Sequence, residues 1–172
     1  MVMFMKKIEL LAPAGSYGKL KTALYFGADA AYIGGKQFSL RTFADNFTAE
    51  ELRSAVDFAH GLGKKIYVTA NVFARNGDFT QLGEYFQNLS EIGVDAAIIS
   101  DPGVVYLAKK VAPNLQIHLS TQANTTNKYA VKFWAEQGVS RVILARELSI
   151  KEICEIRDFV PETELEAFVH GA

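Results

Sequence analysis

The sequence has little cysteine and no long apolar run. Cys154 is its one cysteine, so neither an internal disulfide nor a multi-cysteine metal site can form within these residues. This cysteine usage is typical of a reducing compartment, and we expect a cytoplasmic location. No segment approaches the roughly 18 apolar residues of a membrane span. The net charge of −1 provides no overall attraction to nucleic acid or to anionic lipid, so any RNA contact requires a local patch.

Several catalytic signatures are missing as well. The sequence contains no Gly-x-Gly-x-x-Gly dinucleotide motif, no His-Glu-x-x-His zinc motif and no Gly-x-Ser-x-Gly nucleophile elbow. Ser100 precedes Asp101-Pro102 and is interpreted as part of a helix start. Cys154 follows the apolar residues of its helix and is predicted to lie in the core. Asp29 and Asp95 precede strands and are interpreted as stabilising residues.

Strand-length apolar runs alternate with segments of helical period along the whole chain. The predicted strands are Ile8–Ala12, Ala30–Ile33, Lys65–Asn71, Ala96–Ser100, Gln116–Ser120, Arg141–Leu144 and Glu164–Val169, and the predicted helices lie at 16–26, 48–61, 78–92, 102–111, 127–137 and 149–159. Short connections between such units imply right-handed crossovers and a parallel sheet.

These units predict an α/β fold, an incomplete (β/α)8 TIM-type barrel of about seven parallel strands and six helices in a single domain, residues 1–172. A complete barrel needs about 250 residues, so the sequence predicts a barrel truncated on its carboxyl side. A doubly wound sheet is the alternative, and the missing dinucleotide motif disfavours it.

The active site of a barrel lies where strands end and helices begin. Alternation along the strands directs His118, Ser120, Asn71, Glu166 and His170 to the inside, and polar inner faces are unusual in a packed barrel. We therefore predict Glu166 and His170 as catalytic residues. The predicted substrate-binding residues are Arg41, Asn71, Arg75, His118, Ser120, Gln122, Asn124 and Arg146. The three arginines suit bidentate capture of an anionic small molecule.

Structural interpretations of the same residues remain open. His118 is as consistent with a buried, hydrogen-bonded core histidine as with a catalytic one. Glu166 and His170 could simply satisfy each other. Arg41, Arg75 and Arg146 could be solvated loop arginines.

The chain resembles peptidase family U32 at a series of motifs in matching order. These are Glu9–Gly15, Gly27–Gly34, Phe38–Arg41, Ser120–Asn124, Arg146–Ser149 and Glu166–Ala172, the last of which is similar to the first half of the family signature. The resemblance implies a TIM-type barrel at the amino end of a longer protein. It also implies that the cysteines of the signature follow the position of Ala172.

Similarity to the tRNA uridine hydroxylases of this family implies formation of 5-hydroxyuridine with prephenate and a [4Fe-4S] cluster. The cluster is expected only in the longer protein, and no metal site is expected within this chain. Prephenate and tRNA are the expected partners. A collagenase-like peptidase is the alternative, although it needs a nucleophile or metal setting that the sequence does not show. A catalytically inactive fragment, self-associating through open sheet edges, is the third possibility.

Overall fold

The computed structural model of the chain describes residues 8–39 and 46–170, so Arg41 lies outside the described residues. The strands are β1 (Leu11–Pro13), β2 (Ala30–Gly34), β3 (Lys65–Thr69), β4 (Ala96–Ile99), β5 (Gln116–Leu119), β6 (Arg141–Ile143) and β7 (Glu164–Glu166). The helices are α1 (Tyr17–Tyr25), α2 (Ala49–Gly61), α3 (Phe79–Ile92), α4 (Pro102–Val111), α5 (Lys128–Glu136) and α6 (Ile150–Phe159). Short 3₁₀ helices cover Asn76–Asp78 and Thr121–Ala123.

Seven strands of the described residues form one parallel sheet in the order β1-β2-β3-β4-β5-β6-β7. Each strand pairs with the next along the chain, as in the register Leu11 to Ala30 and Arg141 to Glu164. This order is that of a TIM-type barrel wall and differs from a doubly wound sheet, whose order reverses at its centre. The predicted incomplete barrel is confirmed, and β1 and β7 are its two edge strands.

The helix starts form as their sequences indicate. Thr48 accepts a hydrogen bond from the backbone N–H of Glu51 at 3.2 Å, and the Glu51 carboxylate accepts one from the N–H of Thr48 at 2.7 Å. Ser149 and Glu152 form the same reciprocal capping box at the start of α6. Such boxes satisfy N–H groups that the first helical turn leaves without partners, and they determine where each helix begins.

The core has two layers, on opposite faces of the sheet. Alternate strand residues such as Ile66, Val68 and Ile117 pack outward against the helices in the main core. The residues between them face inward, where Tyr67 joins Ile98, Ala30, Ala96 and Ile143 in a smaller cluster. This alternation follows from the two-residue period of a strand, and it assigns His118 to the inner side as predicted.

Three expectations from the sequence are wrong. The first strand begins at Leu11 rather than Ile8, because its pairing with β2 starts at Leu11. The last strand ends at Glu166 rather than Val169, because Glu166 pairs with Ile143, the final residue of β6, and no partner strand continues beyond it. Cys154 is exposed rather than in the core. The buried side of α6 contains Ile156 and partly Ile153. Cys154 follows Ile153 by one residue, which is a rotation of about 100° around the helix.

The described residues contain no helix that is long and apolar enough to cross a membrane.

Candidate functional site

Polar residues collect at both ends of the sheet. The carboxyl-end face, where strands lead into the following helices, contains Ser39, Asn71, Ser120, Gln122 and Arg146. The amino-end cluster, where strands begin, is formed by Glu9, Tyr67, His118, Arg141 and Glu164 with Glu166. The two sets differ in chemistry, since the first is mainly neutral and, apart from the buried Ser120, partly or fully exposed, whereas the second is densely charged and largely buried.

At the end of β2 and β3, Ser39 and Thr69 form a hydrogen bond of 2.8 Å. Thr69 itself donates to the carbonyl oxygen of Ile33 at 3.2 Å, so the Ser39 hydroxyl is the donor to Thr69. Gly34 allows this approach, because a Cβ there would lie 2.8 Å from the Ser39 oxygen. The loop after β2 is thereby held close over the end of β3.

The loop after β5 brings three predicted ligands together. Asn71 donates through Nδ2 to Oε1 of Gln122 at 2.5 Å, although the two residues are 51 positions apart. The Ser120 hydroxyl caps this turn by accepting from the backbone N–H of Gln122 at 3.3 Å. Asn124 then adopts a left-handed conformation with φ of 51°, which asparagine tolerates better than most residues. The predicted gathering of Asn71, Ser120 and Gln122 at one face is thus observed.

Arg146 lies over the ring of Phe168, with 4.3 Å between the guanidinium carbon and the ring centroid. A planar guanidinium stacks on an aromatic face in this way and keeps its N–H groups free to bind a carboxylate or phosphate. Arg75 also lies at this face and is exposed, at the start of the short helix in which its N–H donates to Asp78 at 2.7 Å. Arg146 is therefore the better oriented of the two arginines.

Glu166 and His170 do not contact each other in the described chain. Glu166 accepts a hydrogen bond from Arg141 at 3.3 Å, whereas His170 is exposed beyond the end of β7. Burial raises the pKa of the Glu166 carboxyl above its usual value, and the nearby Arg141 only partly opposes this. Burial thus favours the protonated form of Glu166 more than it would be favoured in an exposed glutamate.

Arg141 is the centre of the amino-end cluster and was not predicted as a functional residue. Its guanidinium donates to Glu9 at 2.7 Å and to Glu164 at 2.7 and 3.0 Å, besides the bond to Glu166. It also lies 5.2 Å from the centroid of the Tyr67 ring, and the Tyr67 hydroxyl donates to Glu9 at 2.8 Å. Three carboxylates thus share one nearly buried cation.

The pKa directions follow from these contacts. Burial by itself would raise the pKa of Glu9, but hydrogen bonds from Arg141 and Tyr67 outweigh it and lower that pKa. Burial would lower the pKa of Arg141, but its bonds to Glu9 and Glu164 raise it. The pKa of Tyr67 is raised by burial and by its bond to Glu9. Arg141 therefore stays charged and Tyr67 stays neutral, so the cluster is a fixed ion network.

His118 lies in contact with this network. Its ring meets that of Tyr67 edge to face at 4.5 Å between centroids, and its Nδ1 atom has no hydrogen-bond partner among the described residues. Burial, reinforced by the charge of Arg141, lowers the pKa of His118 to about 3. The imidazole is therefore neutral at physiological pH, and its low pKa makes it too weak a base to accept a proton readily, which favours the core interpretation over a general base.

A cavity of about 580 Å³ opens beside His118, Arg141, Lys65 and Glu164. Lys65, Arg141 and Glu164 are the first residues of their strands, so this cavity lies at the amino end of the sheet. Active sites of barrels lie at the opposite end. We therefore assign the cavity to the structural network and the candidate site to the carboxyl-end face.

Iron–sulfur clusters require cysteine ligands, and the described residues do not offer them. Cys154 is the one cysteine and lies on the exposed side of α6, and no three His, Cys, Asp or Glu side chains within residues 8–39 and 46–170 are arranged to hold a metal ion. The residues present therefore do not fit a cluster by themselves.

Sequence reasoning missed Arg141 and the stacking of Arg146 on Phe168. The sequence did contain a signal for Arg141. It lies two residues before Ile143 on the same strand, so the two side chains share the inner face and a charged group is directed inward. Its partner Glu9 precedes β1 and is 132 positions away, so no local pattern connects the two residues.

The chain matches Peptidase family U32 over residues 15–172. It is 49% identical over 167 residues to tRNA hydroxylation protein P1 of Bacillus subtilis, covering 97% of this chain and 39% of that protein. It is 41% identical over 172 residues to an uncharacterized protease, MJ0090, of Methanocaldococcus jannaschii, covering 98% of this chain and 42% of that protein. The chain thus spans less than half the length of these curated relatives.

Among solved structures, the chain is similar to the U32 peptidase Mk0906, with a TM-score of 0.77 and 17% identity over 97% of this chain and 72% of that one. At this identity the likeness concerns the fold, and it agrees with the barrel wall described above.

Proposed function

Because this chain belongs to peptidase family U32, we propose that it forms the barrel part of a tRNA-modifying hydroxylase that converts a wobble-position uridine to 5-hydroxyuridine. The observation that carries the proposal is the 49% identity to tRNA hydroxylation protein P1, maintained over 97% of this chain. The neutral, hydrogen-bonding carboxyl-end face supports it, since a pyrimidine base presents carbonyl and N–H groups to such side chains.

The co-substrate in this proposal is a dicarboxylate of the prephenate type. Arg146 is the anchor for one carboxylate, because its stacking on Phe168 orients the planar guanidinium. Arg75 and Arg41 are the proposed partners for the other carboxylate. Asn71 and Gln122 already form a mutual hydrogen bond at 2.5 Å, so they offer a preorganised amide pair for the base.

We assign His170 to the wall of the site, beyond the end of β7, whereas Glu166, which bonds to Arg141 at 3.3 Å, belongs to the amino-end cluster. A [4Fe-4S] cluster in the longer protein would supply the redox chemistry, and its cysteines would come from residues other than those of this chain. Iron and acid-labile sulfide can be measured on the 172-residue chain and on a longer protein that contains it. We expect about four irons per molecule in the longer protein and a substoichiometric amount in the chain.

A peptidase is the second candidate, and the name of the 41% identical relative MJ0090 favours it. The described residues do not support a serine or cysteine mechanism. His60 is paired with Asp95 at 3.0 Å, and neither His118 nor His170 hydrogen-bonds to a serine, threonine or cysteine among the described residues. A nucleophile activated by histidine needs such a bond.

The proposal is tested with a chimera in which this chain replaces the matching segment of Bacillus subtilis protein P1. The chimera is expressed in a strain that lacks protein P1, and 5-hydroxyuridine in total tRNA is quantified by mass spectrometry against an empty-vector strain. We expect the chimera to restore the nucleoside. A chimera that reaches native abundance but restores none, while releasing peptides from gelatin in the presence of a chelator, would replace the hydroxylase with the peptidase.

A further inference from the structure

A groove on the outer wall of the barrel lies between α4 and α5, away from both polar faces of the sheet. Its volume is about 580 Å³, and its walls include Tyr106, Lys109 and Lys110 from α4 and Phe133, Trp134 and Gln137 from α5 and its end. This α4–α5 groove is not part of the candidate site, and the proposed chemistry does not use it.

The lining of the groove contains two lysines, Lys109 and Lys110, and one acidic residue, Glu136, and the two helices that form it are basic in a chain that is not. Helices α4 and α5 contain four lysines, Lys109, Lys110, Lys128 and Lys132, against one acidic residue, Glu136, for a net charge of +3, whereas the whole chain has a net charge of −1. Glu136 lies 3.5 Å from Lys132, the lysine with which it forms an i,i+4 pair. Among the described residues, neither Lys109 nor Lys110 forms an ion pair. Lys109 donates a hydrogen bond to the carbonyl oxygen of Gly138 at 3.4 Å, but no described carboxylate neutralises either lysine, so both charges are available to a polyanion.

Large aromatic side chains are exposed beside these lysines. Tyr106 is 72% exposed and Phe133 is 52% exposed, and Phe133 contacts Trp134 edge to face at 5.3 Å between ring centroids. Tyr106 precedes Lys109 and Lys110 by three and four residues, so all three side chains share one side of α4. Exposed aromatic rings next to uncompensated lysines are the elements with which proteins stack bases and hold the phosphates between them.

A second aromatic and basic set lies on α5 and at the end of α6, outside the lining of the groove. At the start of α5, the Tyr129 and Phe159 rings meet edge to face at 5.2 Å, and the Lys128 ammonium lies 5.1 Å from the Phe159 centroid. Because α5 follows β5 through the loop that holds Ser120 and Gln122, its first turn lies beside the candidate site.

We propose that the α4–α5 groove is a docking surface for the tRNA substrate, with Lys109 and Lys110 on backbone phosphates and Tyr106 and Phe133 stacked on unpaired bases. The proposal rests on the proposed function for the identity of the RNA. A loop of tRNA placed with one nucleotide in the site would continue over the start of α5 and along the groove. An RNA ligand fits better than a protein one, because two lysines without carboxylate partners beside exposed rings match phosphates and bases at once.

The test measures binding of a tRNA transcript with a wobble uridine to the 172-residue chain by fluorescence anisotropy at several salt concentrations. For Lys109→Ala/Lys110→Ala we expect weaker binding and a slope of log K against log salt that is smaller by about 1.5. For Tyr106→Ala we expect about tenfold weaker binding, since a stacked base is lost.

Matched controls come from α1, which also has two exposed lysines and an exposed tyrosine. Lys19→Ala/Lys21→Ala removes the same charge, and Tyr25→Ala removes a tyrosine that is 67% exposed. Both controls should bind the transcript within about twofold of the unmodified chain. Thermal unfolding of every variant confirms that folding is retained.

Equal losses for the groove and the α1 variants would overturn the proposal, because binding would then follow total charge. Unchanged RNA binding together with the loss of self-association by light scattering would also overturn it, since the groove would then contact protein. The proposed function is tested separately in the chimera. A groove variant that lowers both the affinity for tRNA and the amount of 5-hydroxyuridine supports the docking surface. A chimera that binds tRNA specifically but forms no 5-hydroxyuridine contradicts the hydroxylase and still supports the docking surface.

Discussion

Arg141 donates a hydrogen bond to Glu9 at 2.7 Å and thereby connects the start of the sixth strand to the segment before the first. The bond crosses the inside of the barrel wall and joins residues 132 positions apart. With Glu164 and Glu166 on the same guanidinium, the contact holds the two edges of the curved sheet at a defined separation. The shape of the carboxyl-end face depends on that curvature.

Replacing this cation should therefore destabilise the fold. Arg141→Met leaves Glu166 partly buried without a cation and Glu9 with only the more exposed Lys65 at 3.3 Å, and breaking such a buried network costs about 3–5 kcal/mol. The measurement is urea-induced unfolding at neutral pH. Lys132→Met is the control, because it breaks an exposed pair with Glu136 and should change the free energy of unfolding by less than about 1 kcal/mol. Similar losses for both variants would contradict the network.

Glu166 should make the stability depend on pH. Because its pKa is raised in the folded state, it contributes stability that is present at acidic pH and is lost as the pH rises from about 4.3 through the folded value. Glu166→Gln removes this loss. We expect the free energy of unfolding of the variant, relative to the unmodified chain, to increase over that window and then to level off. A difference that is constant from pH 4 to pH 8 would exclude a raised pKa.

His118 should have the opposite dependence on pH. Its pKa of about 3 lies below the usual value, so the unfolded chain takes up a proton as the pH falls below about 6.5 whereas the folded chain does not. The free energy of unfolding then falls by up to about 1.4 kcal/mol per pH unit as the pH decreases. His118→Gln should remove the contribution of this histidine to that fall. Ring nitrogen chemical shifts by NMR provide a direct check, since a ring protonated at pH 6 would contradict the assignment.

Arg146 should determine the affinity for an anionic co-substrate. In the chimera, Arg146→Ala should raise KM for prephenate about tenfold or more, because a charge-assisted hydrogen bond is lost. Arg146→Lys should recover only part of the lost affinity, since lysine lacks the planar, two-pronged guanidinium group. Phe168→Leu, which removes the ring under the guanidinium, should give an intermediate KM. The exposed helical arginine Arg53 is the control, and an equal effect of Arg53→Ala would exclude a specific role for Arg146.

Self-association through the sheet edges remains a prediction. The edge strands β1 and β7 pair on one side only within the described residues, and open edges favour pairing between chains. Multi-angle light scattering of the chain over a range of concentrations should therefore show species larger than a monomer. A monomer at every concentration would contradict the prediction.

The barrel wall could be predicted from the sequence because each unit has local signals. The capping boxes of Thr48 and Ser149 and the left-handed Gly93 after α3 depend on residues within one turn. Strand ends were less predictable, since the end of β7 depends on where β6 ends and not on its own residues. Cys154 was misplaced because the buried side of α6 is determined by how the helix packs.

The candidate site could be predicted in part. The two-residue alternation along the strands predicted that Asn71, Ser120 and His118 face inward. The loop residue Gln122 was predicted to lie at the same end of the sheet as Asn71. Their hydrogen bond depends on the spacing of β3 and β5, which only the assembled sheet provides. The low pKa of His118 depends on burial and on Arg141, and neither can be read from its own strand.

The sequence by itself determined the alternation of strands and helices, the parallel order and the inward direction of alternate residues, because these properties depend on local periodicity and capping. The tertiary structure alone decided which charges meet. It brought Glu9, Arg141 and Glu164 to one point and set Arg146 over Phe168. It also joined the lysines of α4 to the aromatic rings of α5. Contacts between residues far apart in the chain depend on the curvature of the whole sheet, which no segment of the sequence specifies alone.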